Sequence, residues 1–204
     1  MNFEIIDNFF QVTVMCICSL MAMLFGVRNK DIRCLILSFS YASFMMGSLY
    51  YTLHIVIRGD IPRVFYVSEI SWLAAYFFSL SLLIYRNEGV KLRFSLIPFL
   101  VSLYAVVNIV GMCLFGTSYF FSSIFAVAVG SIIYFALFRI KNKLGECKVD
   151  ICLLFCVTLQ IILYVVSWYT SDFTKFNLYF AIDILLTLSY AVLLPLMVRE
   201  KYKK

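Results

Sequence analysis

Residues 66–86 read YVSEISWLAAYFFSLSLLIYR. Between Tyr66 and Arg86 the only charge is Glu69. About 20 apolar residues wound as a helix cross the ~30 Å hydrocarbon layer of a membrane. A membrane strand would need alternating polarity over about ten residues, which is missing here. At about 100° per residue, Glu69, Trp72, Tyr76 and Ser79 fall on one arc with Tyr66 at its edge. The stretch therefore predicts a membrane helix with one polar, aromatic face.

Six further runs of this kind surround it. The seven expected spans are 9–27, 34–57, 64–85, 94–115, 118–138, 150–169 and 176–198. The composition agrees: of 204 residues, 64% are hydrophobic and 14% charged, and the mean hydropathy is +0.97. A soluble domain of this size cannot bury so much apolar surface. Helices satisfy their own backbone groups in lipid. The expectation is an all-α, seven-transmembrane-helix bundle forming a single domain over 1–204.

Lysine and arginine orient it. One set of connections holds fourteen of the seventeen: Arg28, Lys30, Arg33; Arg86, Lys91, Arg93; Arg139, Lys141, Lys143, Lys148; Arg199, Lys201, Lys203 and Lys204. The other set holds Arg58, Arg63 and Lys175. The richer side is expected in the cytoplasm, with the N-terminus outside and the C-terminus inside. Glu4 and Asp7 suit an outer tail. The first span lacks a basic flank and a small-residue cleavage site, so it reads as a retained helix. The net charge of +6 is a topology signal, and no nucleic-acid partner is expected.

The connections are short, and none holds a folded domain: RGDIPR (58–63), FGTS (115–118), SDFTK (171–175) and RIKNKLGECK (139–148). No internal repeat is found. Pro98 and Pro195 read as helix-end features or mild kinks. The seven cysteines lie in spans, apart from Cys147 in an inner loop, and read as buried thiols. The one histidine is placed far from the cysteines Cys147, Cys152 and Cys156, so no metal or other cofactor is expected.

Other spans repeat the polar stripe. The second aligns Ser40, Ser43, Gly47, Tyr50, Tyr51 and His54. The fourth aligns Tyr104, Asn108 and Gly111. The fifth offers small residues for close packing, Ala126 and Gly130 among Tyr119, Ser123 and Tyr134. The sixth aligns Cys156, Gln160, Tyr164 and Ser167. The seventh aligns Tyr179, Asp183, Thr187 and Tyr190. By depth, the polar groups gather in the outer half of the bundle and the inner half is mostly apolar. An ionisable group in a span costs at least ~2.5 kcal/mol and usually faces the interior or a wet cavity.

These faces predict an outward-facing pocket lined by the second, third, fourth, sixth and seventh helices. Glu69, Asp183 and His54 would carry charge and protons. Asn108, Gln160, Tyr76 and Tyr179 would hydrogen bond, and Trp72 would form a wall. The same residues also suit plainer roles, as interfacial belts or interhelical glue.

Missing residues exclude several classes. No lysine stands in the seventh helix for a retinal Schiff base. One histidine is too few for a ceramidase-type zinc hydrolase. Walker loops, dinucleotide fingerprints and nucleophile elbows are absent. A lipid hydrolase using Glu69 and Asp183 as paired acids stays open, by analogy with the membrane lysoplasmalogenases.

SYASFMMGSLYYTLH (40–54) followed by FYVSEISWLAAYFFSLSLLIYR (65–86) resembles the second and third helices of the seven-helix sensor regions at the N-termini of bacterial histidine kinases. The likeness is a small-residue, tyrosine-rich helix, a short turn, and an aromatic helix ending in a basic residue. It covers about a quarter of the chain. It implies a sensor for a small ligand or for the envelope. Those regions precede kinase or cyclase modules, whereas this sequence ends at Lys204, so the signal is expected to reach a separate protein through the basic loops. The leading expectation is receptor- or sensor-like binding of a small or amphipathic ligand, or a membrane subunit of a complex, in a bacterial cytoplasmic membrane. A proton-coupled secondary transporter is the alternative, and the lipid hydrolase comes third.

Overall fold

The computed structural model describes residues 3–59, 66–90, 94–113 and 119–202, leaving aside the side chains of Tyr66, Met112, Cys113 and Tyr119. The expectations for Arg63, Lys91, Arg93, Lys203, Lys204, residues 60–65 and 114–118, and those four side chains lie outside the described residues. Eight helices occur among the described residues, and no strand does. They are α1 Phe3–Asn29, α2 Ile32–Arg58, α3 Tyr66–Arg86, α4 Leu96–Cys113, α5 Tyr119–Lys141, α6 Lys148–Tyr169, α7 Leu178–Ala191 and α8 Leu193–Tyr202. Counting α7 and α8 as one rod, six are long and apolar enough to cross a membrane, and α4 is a shorter apolar helix. Ile17, Leu20, Met21 and Leu24 on α1 are exposed, as lipid-facing side chains should be. This is a multi-pass membrane protein.

Neighbouring contacts close a ring: α1 on α2, α2 on α3, α3 on α5, α5 on α6, α6 on α7, and α7 back on α1. The α4 helix lies outside the ring and packs chiefly on α5, where Ser102 Oγ donates to the Gly130 carbonyl at 2.7 Å. Pro98 sits in the first turn of α4, where a missing N–H costs little because the helix offers it no acceptor.

Two elements differ from the sequence reading. First, the expected outer tail is helix. The α1 helix begins at Phe3, six residues before the expected start. Glu4 in its first turn meets the positive end of the helix dipole. Asn8 Nδ2 donates back to the Glu4 carbonyl at 2.7 Å. Phe3 N–H reaches the Thr174 carbonyl at 3.1 Å, and the Phe3 ring packs against Phe176 and Phe180 at 5.2 and 4.9 Å. Second, the last span carries a slight irregularity at Val192, between α7 and α8, which keeps helical torsions (φ −66°, ψ −19°) and backbone hydrogen bonds to Leu188 and from Leu196. Pro195 has no N–H to give the Ala191 carbonyl four residues back. Tyr41 OH bonds the adjacent Tyr190 carbonyl at 2.8 Å.

The four basic connections share one end of the bundle. Lys201 Nζ reaches the Asn29 carbonyl at 2.8 Å, and Lys141 Nζ reaches Ser95 Oγ at 3.0 Å. There two of the basic residues read as topology signals, Arg86 and Arg139, also have a structural role. Arg86, Arg139, Asp150 and Glu200 are buried together. Arg86 bonds Glu200 and lies 3.4 Å from Asp150. Arg139 lies 3.2 Å from Asp150. Asp31 caps α2, accepting from Arg33 N–H at 3.1 Å and pairing with the Arg33 side chain at 2.8 Å. Burial works against the Asp31 carboxylate. Hydrogen bonds and charge from Arg33, with Lys201 nearby, outweigh it and hold the carboxyl below its usual value.

Above this cluster lies a dry layer. Leu37, Leu82, Leu83, Leu153, Leu193 and Met197 are each at most 1% exposed. Above that again, Tyr190 OH meets Ser40 and Ser79, each at 2.5 Å.

Candidate functional site

At the opposite end, where α1 begins, the ring encloses a cavity of about 510 Å³. Its lining comes from α1, α2, α3, α5, α6 and α7 and from Phe173 in the α6–α7 connection. That volume is in the range of small-molecule sites.

The floor is a polar chain through four helices. Gln11 on α1 donates Nε2 to Asp183 Oδ1 at 3.1 Å and to Thr187 Oγ1 at 3.2 Å, both on α7. Ser48 on α2 donates to Gln11 Oε1. Trp72 Nε1 on α3 donates to Ser48 Oγ at 3.3 Å. Asp7, one turn before Gln11, interacts directly with Asp183. Periodicity explains the alignment: Asp7 and Gln11, and Asp183 and Thr187, are each four residues apart on one helix face.

The sides are aromatic and clamped. Tyr76 OH donates to Gln160 Oε1 at 2.8 Å, joining α3 to α6. The Tyr76 ring meets Phe125 edge-on at 5.1 Å. Tyr51 OH donates to Glu4 Oε1 at 2.7 Å, and its ring lies 6.3 Å from Trp72. Phe173 meets Tyr179 at 5.3 Å. Gly47 makes the Trp72 position available. A Cβ there would stand 2.7 Å from the indole ring and 3.1 Å from the Ser68 carbonyl.

Of the residues singled out in the sequence, Glu69, Trp72, Tyr76, Gln160, Tyr179 and Asp183 line the cavity. Asn108 does not. It is exposed on α4, outside the ring, and its Nδ2 is satisfied by its own helix, at the Tyr104 carbonyl 2.7 Å away. His54 does not line it either. It is half-buried on a flank of α2, with its ring 6.3 Å from Tyr50. The α4 helix therefore contributes nothing to the lining described, and α1 and α5 do. Glu4, Asp7, Asn8 and Gln11 were missed. Their helical spacing was available in the sequence, but two acids ahead of a long apolar run read as an outer tail.

Among the described residues no lysine or arginine lines the cavity. Nor do three His, Cys, Asp or Glu side chains gather there closely enough to hold a metal ion. The arrangement can hold a compact ligand between aromatic faces and offer it carboxylates and the amides of Asn8, Gln11 and Gln160. Comparison with family models, with curated proteins and with solved structures finds no match for this chain.

Proposed function

We propose that this protein binds a small or amphipathic ligand in the α1–α7 cavity, from the outer side of a bacterial cytoplasmic membrane, as a receptor- or sensor-like module or as the membrane subunit of a complex. The carrying observation is the cavity itself: about 510 Å³, with Asp183 and Gln11 on its floor and Trp72 and Tyr76 on its sides. The fourteen-to-three division of basic residues supports an outside N-terminus. The resemblance of residues 40–54 and 65–86 to kinase sensor regions supports signalling over catalysis.

Native mass spectrometry of the purified protein tests binding. The parent is expected to carry a co-purifying small molecule that the Glu69→Leu/Asp183→Leu variant lacks. If parent and variant carry the same molecules, the cavity is not the binding site. Cysteine labelling tests the sidedness. A cysteine replacing exposed Asp172 is expected to react with an impermeant reagent in intact cells, and one replacing Lys143 only after permeabilisation.

The buried acids Asp7 and Asp183 favour a second reading, proton-coupled transport, because carboxyls inside membrane bundles serve as proton relays. Uptake into proteoliposomes driven by a pH gradient would establish it.

A further inference from the structure

Resting on the ligand-binding reading above, we infer that the ligand is an organic cation, an ammonium group carried on an apolar body. The volume and the aromatic walls make the cavity a ligand site, and the charges on its lining select the ligand. Glu4, Asp7, Glu69 and Asp183 all line it, with no lysine or arginine among the described lining residues. Asp7 and Asp183 are 4% and 8% exposed and interact directly. Two neighbouring carboxyls in a poorly hydrated place repel unless a proton or a cation stands between them. Gln11 holds Asp183 by Oδ1, so the acid is positioned before any ligand arrives.

The walls suit the same guest. Trp72, Tyr76, Phe44, Phe125, Tyr179 and Phe180 surround the acids. Aromatic faces attract ammonium groups and cover apolar bodies equally well. An anion would meet the acids without a counter-charge. A bare metal ion is disfavoured, because no three potential ligands converge among the described residues and a hard cation needs six or more oxygens. The ammonium could belong to a free amine or to an aminolipid headgroup, since the cavity lies within a membrane bundle.

The test uses the full chain with Trp168→Phe, leaving Trp72 as its one tryptophan, in nanodiscs of phosphatidylglycerol and a neutral glycolipid. The probes are 2-phenylethylamine, 2-phenylethanol and phenylacetate, matched in ring and differing in charge. Quenching of Trp72 is expected to show the amine binding at least tenfold tighter than the alcohol, and phenylacetate weakest. Asp183→Asn and Asp7→Asn should each remove most of the amine's advantage and leave the alcohol unchanged. Replacing the glycolipid by phosphatidylethanolamine separates the sources. A weakened amine there identifies the headgroup as the occupant, an unchanged one identifies a free amine, and either supports a cation site. If the three probes bind equally, the cation inference fails and the cavity remains a ligand site. If none binds, both fail.

Discussion

Gln11 joins three side chains from two other helices: Asp183 and Thr187 on α7, and Ser48 on α2. Replacing it by leucine keeps the volume and takes a hydrogen-bond partner from each of the three. A buried polar group left without its partner costs about 1–3 kcal/mol, so Gln11→Leu is expected to lower the thermal midpoint in detergent clearly. Thr13→Leu, on the exposed side of the same helix, should not. Gly47 acts by absence of bulk. An alanine there must push Trp72 or the α2–α3 contact aside, and overpacking of this kind costs about 1–3 kcal/mol. Gly47→Ala is expected to shift the Trp72 emission maximum in a Trp168→Phe background and to lower stability together. Asn108 shows where residue-level reading fails. An amide in a span can be satisfied by its own helix, as Asn108 is by the Tyr104 carbonyl, and its polarity then says nothing about which way it faces. His54 fails for another reason: the inward face of α2 is set by Ser48, Thr52 and Phe44, which are buried, while His54 lies about 100° or more around the helix from Ser48.

At the scale of elements, existence was legible and ends were not. Each apolar run became a helix because lipid leaves the backbone no other way to pair its own groups. The α1 start was hidden because charge was read as solvent exposure. Its first turn is instead held by a partner distant in sequence, the Thr174 carbonyl and the Phe176 and Phe180 rings. Pro195 was visible, but not that the Tyr190 carbonyl beside the loosened Ala191 one is bonded by Tyr41, a partner distant in sequence. The α2 cap gives a pH prediction. A carboxyl held below its ordinary value in the folded state adds stability above its unfolded value, ~3.9, and loses it as pH falls through the lower folded one. Asp31→Asn keeps a good capping residue and removes the titration. The parent is expected to lose more stability than the variant between pH 5 and pH 3, roughly the window around the ordinary carboxylate range, read as the difference in unfolding midpoint.

For the whole molecule, the closed ring decides which polar faces meet. Nothing in the local pattern says that α4 stands outside it while α1 and α5 complete it, since all seven runs are similarly apolar. The same is true of the cluster at the basic end, where residues 86, 139, 150 and 200 are assembled by the fold alone. Glu200→Gln leaves two buried arginines sharing Asp150, and breaking a buried pair costs about 3–5 kcal/mol. Replacing both partners, Arg86→Met with Glu200→Leu, keeps Arg139 with Asp150 at 3.2 Å and is expected to recover most of that loss in thermal unfolding. The dry layer between this cluster and the Tyr190 hydroxyl has an electrical consequence. From Ser79 to Arg86 it spans only about 10 Å of helix, with leucines and a methionine sealing it. A membrane voltage falls mostly across the insulating part of its path. The field is therefore concentrated in that septum, and an ion entering the cavity from the α1 end crosses little of it. Occupancy of the proposed site is then expected to vary little with membrane potential, whereas any charge moved through the septum would feel nearly the full ~2.3 kcal/mol per 100 mV.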